Sequence, residues 1–230
     1  MPEIVDIGRD PVASRRVARP RNRRGEGVRL RAEILAAATG LLDRDDGGDV
    51  TLRAVARAVG IAAPSIYPHF PDRPALVLAV VREAFSELSG RLVAAVEDAG
   101  DVERGLYAAC YAYLDFAAAH PGRYRAMYGG LRNPVVVDDL ARLGARTPRL
   151  FAGVLADCVA AGRSNSTDPS ADAVALWLGL HGLAHQLTVS HAYPWPDDFV
   201  RRFVAPLSRT FPSSTASDVS DGSHCHRLLS

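Results

Sequence analysis

The sequence contains no lysine, although it has 27 basic residues, so every one of them is an arginine. We interpret this as compositional bias of the kind that GC-rich coding produces, because arginine also stands at surface-type positions. Cysteine is scarce as well. Cys110, Cys158 and Cys225 have no metal-like spacing, which argues against a disulfide framework and a cysteine-based metal site. We expect all three thiols to be reduced.

Long apolar segments are also missing. The most apolar stretch, AVALWLGLHGLAHQL, contains two histidines and is too short to span a bilayer. The N-terminus lacks the apolar core of a secretory signal. Paired carboxylates, a nucleophile elbow and a phosphate-binding loop are not apparent either. We therefore expect a cytoplasmic protein that is not an enzyme, has no cofactor and has no membrane partner.

Strand-like alternation never persists for more than a few residues, whereas apolar residues recur at helical spacing along most of the chain. Hydrophobic residues make up 48% of the sequence, which is ample for a packed core. The pattern predicts an all-α fold. The two ends lack this periodicity, and the C-terminal end is rich in serine, so we expect both ends to be loose.

The basic residues are unevenly distributed. Residues 15–31 contain eight arginines and one acidic residue, Glu26, while the whole chain has a net charge of only +1. The remainder of the chain is therefore net acidic. A basic arm on an acidic body is typical of a protein that binds a polyanion locally. A solvated tail without a partner, or a start site assigned too early, is the alternative.

One stretch has the spacing of a helix-turn-helix motif. Apolar periodicity predicts a first helix over residues 28–42. Thr51 is a suitable N-cap for a second helix, which Gly60 would end in the left-handed conformation. A third, short helix is predicted over residues 63–67, and Asp72 would cap a long fourth helix. Such a motif places the second helix of the pair in the major groove of DNA, although helical corners of unrelated proteins share the spacing.

The residues of this stretch carry a resemblance. TLRAVARAVGIAAPSIYPHFPDRPALVLAV resembles the N-terminal signature of the tetracycline-repressor (TetR) family of transcriptional regulators. The similar positions are Thr51, Val55, Ala56, Gly60, Ile61, Ile66, Tyr67, His69, Phe70, Pro71, Asp72 and Leu76. A second resemblance lies farther along, to the C-terminal half of a family subgroup with a Trp…His-Gly motif. It is carried by a tyrosine-rich helix and by scattered residues after it, namely His120, Pro121, Tyr124, Trp177, His181 and Gly182.

The resemblance implies a domain organisation. A disordered arginine-rich arm over residues 1–27 would precede a three-helix DNA-binding domain over residues 28–74. A larger helical domain over residues 75–211 would bind an effector and form the dimer, and a flexible tail would follow over residues 212–230. The implied function is a DNA-binding transcriptional regulator, in this family usually a repressor. It would bind a double-stranded operator and be released by a small hydrophobic or aromatic effector.

Several residues are candidates for contacting DNA. Thr51 and the amides that begin the second helix can bind a phosphate, with Arg53 beside them. The resemblance implies the same phosphate role for Tyr67, His69 and Arg73, although Tyr67 is alternatively a core aromatic with an outward hydroxyl. The arginine arm would add minor-groove contacts. The candidate DNA-binding residues are Thr51, Arg53, Ala63, Pro64, Ser65, Tyr67, His69, Arg73, Arg23 and Arg24.

The predicted recognition helix departs from the usual family pattern at two positions. Ala62 stands where a capping serine or threonine is common, and Pro68 stands where a polar or basic residue is common. Pro68 has no N–H to donate to the carbonyl of Pro64, so we expect the helix to end there. Ser65 is the only side chain of the short helix with hydrogen-bonding capacity. Alanine and proline can still contact thymine methyl groups.

Aromatic residues in the second half suggest where an effector would bind. Apolar pockets with a few hydroxyl groups suit hydrophobic or aromatic ligands. Each of these residues is also acceptable as ordinary core. The candidate effector-pocket residues are Tyr107, Tyr111, Leu114, Tyr124, Met127, Tyr128, Phe151, Leu155, Trp177 and His181.

The resemblance also implies a homodimer, because the family pairs its last two helices in a four-helix bundle. Four leucines follow a 4-3-4 rhythm that is typical of an interhelical seam. The candidate interface residues are Leu176, Leu180, Leu183, Leu187, Phe199 and Phe203. Two-fold symmetry would then demand a palindromic operator, with half-sites about 10 base pairs apart or a multiple of that.

His181 and His185 stand four residues apart, a spacing that can bind a metal on a helix. The intervening residues lack the glutamate of HExxH, and no third ligand is obvious. We expect a buried, hydrogen-bonded pair and no metal. Two alternatives to a regulator are left open: a helical metal-dependent enzyme that uses these histidines, and a nonspecific architectural DNA-binding protein.

Overall fold

The computed structural model describes residues 26–44, 50–128, 139, 141–189, 196 and 198–211. The predicted arm, except for its last two residues, and the predicted tail after Phe211 lie outside this part. Regular structure in the described residues is helical, apart from an isolated antiparallel bridge between Ser164 and Thr210. The all-α prediction is confirmed. The helices are α1 (Glu26–Leu42), α2 (Leu52–Val59), a 3-10 helix (Ala63–Ile66), α3 (Arg73–Asp98), α4 (Val102–Ala119), α5 (Pro121–Tyr128), α6 (Arg146–Ala160), α7 (Pro169–Val189) and α8 (Phe199–Ser208).

Helix α2 begins and ends as its sequence predicts. Thr51 is the N-cap in extended conformation, and its Oγ1 accepts a hydrogen bond from the Ala54 amide at 3.1 Å. Gly60 ends the helix at φ +76°, in the left-handed region where a side chain would be strained. The chain therefore leaves α2 at a fixed angle before the next helix begins.

The third helix exists, but it is a single 3-10 turn over Ala63–Ile66. Ala62 precedes it without any side-chain cap, and its carbonyl accepts from the Ser65 amide at 2.9 Å. Pro68 has no N–H with which to continue an α-helical pattern. Instead, the amides of His69 and Phe70 both bond to the carbonyl of Ile66 at 3.0 Å. The helix thus ends at Ile66, one residue earlier than predicted, and the chain does not resume a helix across Pro68.

Helix α3 joins the two halves of the molecule. Asp72 caps it by accepting from the Ala75 amide at 2.7 Å. Leu76 and Val80 complete a hydrophobic cluster with α1 and α2, whereas Val77 and the buried residues from Val81 onwards belong to the C-terminal core. The predicted boundary between residues 74 and 75 therefore falls inside the first turn of a continuous helix that contributes to both cores.

The C-terminal core is built around α4, which is buried on nearly all sides. Helix α3 packs against α4, and α7 packs against α4, α6 and α8. Cys110 and Cys158 lie in this core as free thiols, as predicted, while Cys225 lies outside the described residues. Among the described helices we find none with the length and hydropathy that a membrane span requires.

Candidate DNA interface and effector site

The candidate DNA-binding residues of the N-terminal half are mostly exposed. Thr51, Arg53, Pro64 and Ser65 face solvent, and Ala63 is partly exposed. The side chain that most needs exposure, Tyr67, is 55% exposed, which excludes the alternative of a core aromatic. Ile66 and Phe70 are buried and hold the 3-10 helix on the N-terminal core, whereas Arg23 and Arg24 lie outside the described residues.

Two arginines fix the geometry around this surface. Arg73 Nε donates to the carbonyl of Val50 at 2.9 Å, which ties the start of α3 to the residue before the α2 N-cap. Arg31 Nη1 donates to the carbonyl of His69 at 2.7 Å, and its guanidinium lies 4.2 Å from the centre of the Phe70 ring. Arg73 therefore has a positioning role besides any phosphate contact. The role of Arg31 was not predicted, because its partner lies 38 residues away.

The N-terminal unit meets the C-terminal domain at the start of α5. Arg123, whose side chain is 8% exposed, donates through Nε to Asp43 at 3.0 Å and through Nη1 to Glu87 at 2.5 Å. Asp43 directly follows α1, and Glu87 lies in α3. We call Asp43, Glu87, Arg91, His120, Gly122 and Arg123 the α5 junction.

Gly122 brings the backbones close together at this junction. A Cβ atom at Gly122 would lie 1.7 Å from the carbonyl oxygen and 2.7 Å from the carbonyl carbon of Leu42. Leu42 is the last residue of α1, so the negative end of the α1 dipole faces the positive end of α5. Only a residue without a side chain fits between these two helix ends.

Charges in the α5 junction shift two pKa values downward. Burial alone would raise the pKa of Glu87, but hydrogen bonds and charges from Arg123 and Arg91 outweigh it and hold that pKa below its ordinary value. Burial lowers the pKa of His120, and Arg123 and Arg91 add to the effect, while Asp43 and Glu87 oppose it. The His120 Nδ1 lies 3.4 Å from Asp43 Oδ2. Neutral His120 and ionised Glu87 are thus the forms that the fold favours.

We expect the fold to lose stability in acid through this junction. Because the pKa of His120 is lower in the folded state than its unfolded value of about 6.5, the unfolded chain binds the proton more readily, and the free energy of unfolding falls as the pH drops through that value. Urea denaturation between pH 7.5 and 5.5 should therefore show a shallower pH dependence for His120→Gln than for the wild type. An equal pH dependence of the free energy of unfolding in the two proteins would contradict the assignment of this effect to His120.

Five aromatic side chains from α4, α5 and α7 lie close together. The Tyr124 hydroxyl lies 2.6 Å from His181 Nδ1 and 3.0 Å from the Tyr113 hydroxyl, which lies 3.4 Å from the Tyr128 hydroxyl. The Tyr128 and His181 rings have centroids 4.5 Å apart, and Trp177 stacks on His181 at 6.0 Å. We call Tyr113, Tyr124, Tyr128, Trp177 and His181 the aromatic cluster.

The protonation states of the aromatic cluster follow from burial. Burial raises the pKa values of the Tyr113, Tyr124 and Tyr128 hydroxyls, so all three are neutral phenols at pH 7. Burial, followed by the nearby His185, lowers the pKa of His181, which favours a neutral imidazole. A neutral His181 can accept at Nδ1 the hydrogen bond that the Tyr124 hydroxyl donates.

Two polar atoms next to the cluster have no partner. Trp177 Nε1 and Thr147 Oγ1 are buried, and neither forms a hydrogen bond of ordinary geometry with the described residues. An unpartnered buried donor costs about 1–3 kcal/mol. Both nevertheless lie near Tyr128: the Trp177 and Tyr128 ring centroids are 6.4 Å apart, and Tyr113, Trp177 and Thr147 all oppose the rise that burial causes in the pKa of Tyr128. These are the chemically unusual groups of the C-terminal core.

The structure brings together only part of the predicted pocket. Tyr124, Tyr128, Trp177 and His181 belong to the aromatic cluster. The remaining predicted residues lie in the same hydrophobic core: Tyr107, Tyr111, Leu114, Met127, Phe151 and Leu155. Burial raises the pKa of Tyr107, and a hydrogen bond from Thr210 opposes this, which places the Tyr107 hydroxyl towards the end of α8. Sequence reasoning missed Tyr113 and Thr147. The all-round apolar character of α4 was the available signal for Tyr113.

The histidine pair does not form part of a metal site in the described residues. No group of three or more His, Cys, Asp or Glu residues is arranged to hold an ion there. His181 is bonded to Tyr124 at 2.6 Å, whereas His185 is exposed. The prediction that both histidines are buried is therefore wrong for His185, which lies more than one helical turn farther along α7, on its outward side.

The burial of α7 does not support the predicted interface leucines. Leu176 and Leu180 are 0% exposed and Leu183 is 7% exposed within a single chain, so they face its own core. The outward side instead carries Val174, 44% exposed, and Leu178, 54% exposed, with Ala175 and Gly182 beside them. The leucine spacing does identify a packed face of α7, but this face packs against the core of the same chain and not against a second copy.

The predicted interface residues of α8 are partly buried by α7. Phe199 and Phe203 stack with ring centroids 6.1 Å apart and pack on the C-terminal core. Phe203 covers Gly179, where a Cβ atom would lie 2.1 Å from the phenylalanine ring. A surface groove of about 520 Å³ lies between α7 and the end of α8, lined by Asp172, Ala175, Pro206 and Arg209 among others, and shares no residue with the aromatic cluster.

Two family models match the chain. The model described as "Bacterial regulatory proteins, tetR family" matches residues 34–80, which contain α2, the 3-10 helix and the N-cap of α3. The model described as "Tetracyclin repressor-like, C-terminal domain" matches residues 106–209, which contain the aromatic cluster, α7 and α8. The two matches therefore cover both the surface proposed for DNA and the core beside α5.

Curated relatives and solved structures resemble the chain over similar regions. Nucleoid occlusion factor SlmA from Actinobacillus pleuropneumoniae is 27% identical over 123 residues, which span 53% of this chain and 59% of that protein. The match thus covers less than two thirds of that relative. A protein of unknown function from Rhodococcus sp. RHA1 is 29% identical, with a TM-score of 0.63 over 78% of this chain and 91% of its own. A regulatory protein in the tetR family from Rhodococcus RHA1 shares the fold at 23% identity, with a TM-score of 0.60 over 78% and 95% of the two chains.

Proposed function

The chain belongs to the tetracycline-repressor family of DNA-binding transcriptional regulators, and we propose that it binds a palindromic operator as a homodimer until a small hydrophobic or aromatic effector releases it. The observation that carries the effector response is the position of α5. This helix contacts the N-terminal unit through Gly122 and Arg123 and the aromatic cluster through Tyr124 and Tyr128. Adjacent residues of one short helix therefore touch both functional regions.

The DNA-binding surface is proposed as a division of roles. Thr51, Tyr67 and His69 hold phosphates, together with the amides at the start of α2. The exposed Ser65 and Pro64 of the 3-10 helix face base edges in the major groove. Because a single 3-10 turn presents few polar groups, direct base reading from it is limited. The arginine arm then supplies further contacts in the minor groove.

The homodimer is proposed to form on the outward side of α7. Val174 and Leu178 are exposed apolar residues on the same side of this helix, and a helical bundle would bury them. Leu176, Leu180 and Leu183 are not part of the proposed interface, since the chain already buries them. A two-fold axis beside α7 would set the separation of the two 3-10 helices and hence the spacing of the half-sites.

Release of DNA requires that the effector prefer one conformation of the dimer. An effector beside Tyr124 and Tyr128 would reposition α5, and α5 cannot move without disturbing Arg123 and its carboxylate partners Asp43 and Glu87. The 3-10 helices would then leave the spacing that the operator demands. Trp177 and His181 take part in the same cluster, which supports the subgroup with a Trp…His-Gly motif. The place of action would be the cytoplasm, where the bacterial chromosome lies.

The experiment that tests this function is to map protection of the DNA upstream of the chain's own gene, with excess competitor DNA present. A regulator should protect a palindromic site that competitor DNA does not remove. A second candidate, an architectural protein of the nucleoid, is favoured only by the name of the relatives called nucleoid occlusion factor. Binding that competitor DNA abolishes would favour that candidate and contradict the operator proposal.

Two conservative substitutions separate phosphate contacts from base contacts. Tyr67→Phe removes one hydroxyl donor and should weaken binding about three- to tenfold on every sequence, since a neutral hydrogen bond contributes about 0.5–1.5 kcal/mol. Ser65→Ala should instead relax the preference at one base position. Fluorescence anisotropy with the operator and with single-base variants measures both effects. Unchanged affinity of Tyr67→Phe would contradict the phosphate assignment.

A further inference from the structure

Two buried donors beside the aromatic cluster converge on one oxygen. Thr147 is 1% exposed and its Oγ1 has no partner, and Trp177 Nε1 is also buried without one. The Trp177 and Tyr128 rings have centroids 6.4 Å apart, and both Trp177 and Thr147 oppose the rise that burial causes in the pKa of Tyr128, although neither reaches the geometry of a hydrogen bond. The Tyr113 hydroxyl lies 3.4 Å from the Tyr128 oxygen. Two donors therefore face a single phenol oxygen. The Tyr113 hydroxyl has only one proton, and it donates that proton to Tyr124 at 3.0 Å because Tyr124 donates to His181. A better acceptor at this position would satisfy donors that Tyr128 leaves unbonded.

We propose that Thr147 Oγ1 and Trp177 Nε1 are the donors of an effector site for a neutral, largely aromatic molecule that carries a carbonyl-type oxygen. The Tyr128 hydroxyl competes with that oxygen for the same donors. This inference rests on the proposed effector response and adds the chemical class of the effector. Hydrogen bonds to such an oxygen would orient the molecule, while the rings around it would contribute most of the contact area.

The groups around the site select against charge. The pKa values of Tyr113, Tyr124 and Tyr128 respond to other phenols, to the indole and to Thr147, and no carboxylate or guanidinium of the described residues is among the causes. A carboxylate ligand would therefore be buried without a counter-charge, and an ammonium ligand would have its charge against the Thr147 and Trp177 donors with no carboxylate beside it. The rings of Phe85 and Tyr128 meet edge to face at 5.7 Å and supply aromatic surface beside the site.

Matched probes test this class in the full-length protein. Acetophenone carries the carbonyl, ethylbenzene lacks it, and benzyltrimethylammonium has a positive charge in its place. The chain has two tryptophans, so a ¹⁵N spectrum contains two indole N–H signals, and Trp177→Phe assigns one of them. Acetophenone should shift the Trp177 signal to higher proton frequency in a saturable manner. Ethylbenzene should bind about tenfold more weakly, and the ammonium probe should not bind.

Thr147→Val provides the decisive variant, because it keeps the shape of the side chain and removes only the hydroxyl. Since Oγ1 has no partner, the melting temperature of this variant should not fall. Its affinity for acetophenone should fall about five- to tenfold, while its affinity for ethylbenzene stays unchanged. Thr39→Val is the matched control, because Thr39 Oγ1 in α1 is also buried without a partner. That variant should leave the binding of both probes unchanged.

Several results would overturn the inference. They are no saturable binding of acetophenone, equal affinities for acetophenone and ethylbenzene, tighter binding of the ammonium probe, or an unaltered acetophenone affinity in Thr147→Val. Operator protection is measured on the same preparation. Protein that protects its operator but fails these probe tests contradicts the effector class alone, whereas protein that protects no operator contradicts the proposed function.

Discussion

Replacing Gly122 by alanine is expected to lower the free energy of unfolding by about 3 kcal/mol, the upper end of what overpacking usually costs. The new Cβ atom would lie 1.7 Å from the Leu42 carbonyl oxygen. Both sides of this contact are backbone, so no side chain can rotate away, and α5 must separate from the end of α1. Urea denaturation followed by circular dichroism measures the loss.

Gly90→Ala is the matched control for this prediction. Gly90 lies within α3, and a Cβ atom there would have no other atom within 4 Å. Alanine should therefore stabilise α3 by up to about 1 kcal/mol. If Gly122→Ala behaved like Gly90→Ala, the close approach of α5 and α1 would not exist in solution.

The same substitution tests whether the junction controls DNA binding. Moving α5 away from α1 would stretch the 3.0 Å contact between Arg123 and Asp43, which anchors the end of α1. The folded fraction of Gly122→Ala should therefore have a lower operator affinity and a weaker response to an effector. A variant that is destabilised but retains full operator affinity and full response would show that the junction is structural only.

Local signals were sufficient to predict the helix-turn-helix. Thr51, Gly60 and Asp72 act within three or four residues of their own positions, so their caps could be predicted without knowledge of the fold. The 3-10 geometry of the third helix also follows from Pro64 and Pro68, although its end at Ile66 was placed one residue late. Short-range hydrogen bonding thus accounts for most of the correct predictions.

Contacts between distant residues could not be predicted in this way. Arg123 and Asp43 are 80 residues apart, and neither stands in a pattern that distinguishes it from a surface charge. The two sides of α7 posed a different problem. Both are apolar, so periodicity could not tell which side the chain buries and which it leaves exposed. Thr147 likewise has an ordinary sequence context, and only its burial makes it chemically distinctive.

Deleting residues 1–24 is expected to weaken operator binding by roughly 10- to 100-fold near 100 mM salt, and to flatten the dependence of affinity on salt. The deletion removes seven arginines, six of which lie in the basic run, at positions 15, 16, 19, 21, 23 and 24. Outside residues 15–31 the chain carries a net charge of −6, so the remaining body repels DNA overall. Each phosphate contact that is lost should reduce the logarithmic salt slope by about 0.9. Anisotropy titrations at several salt concentrations measure both quantities.

A full-length variant with the six arginines of the basic run changed to glutamine separates charge from chain length. It should reproduce the loss of affinity and the flatter slope, because phosphate binding depends on the guanidinium charge. Unchanged affinity and slope in both variants would contradict the arm proposal and leave recognition to the 3-10 helix and its phosphate contacts. A loss confined to the operator sequence, with nonspecific binding unchanged, would instead indicate that the arm reads a narrow minor groove. Because the 3-10 helix has few polar groups with which to contact bases, we expect the arm to contribute most of the additional sequence preference.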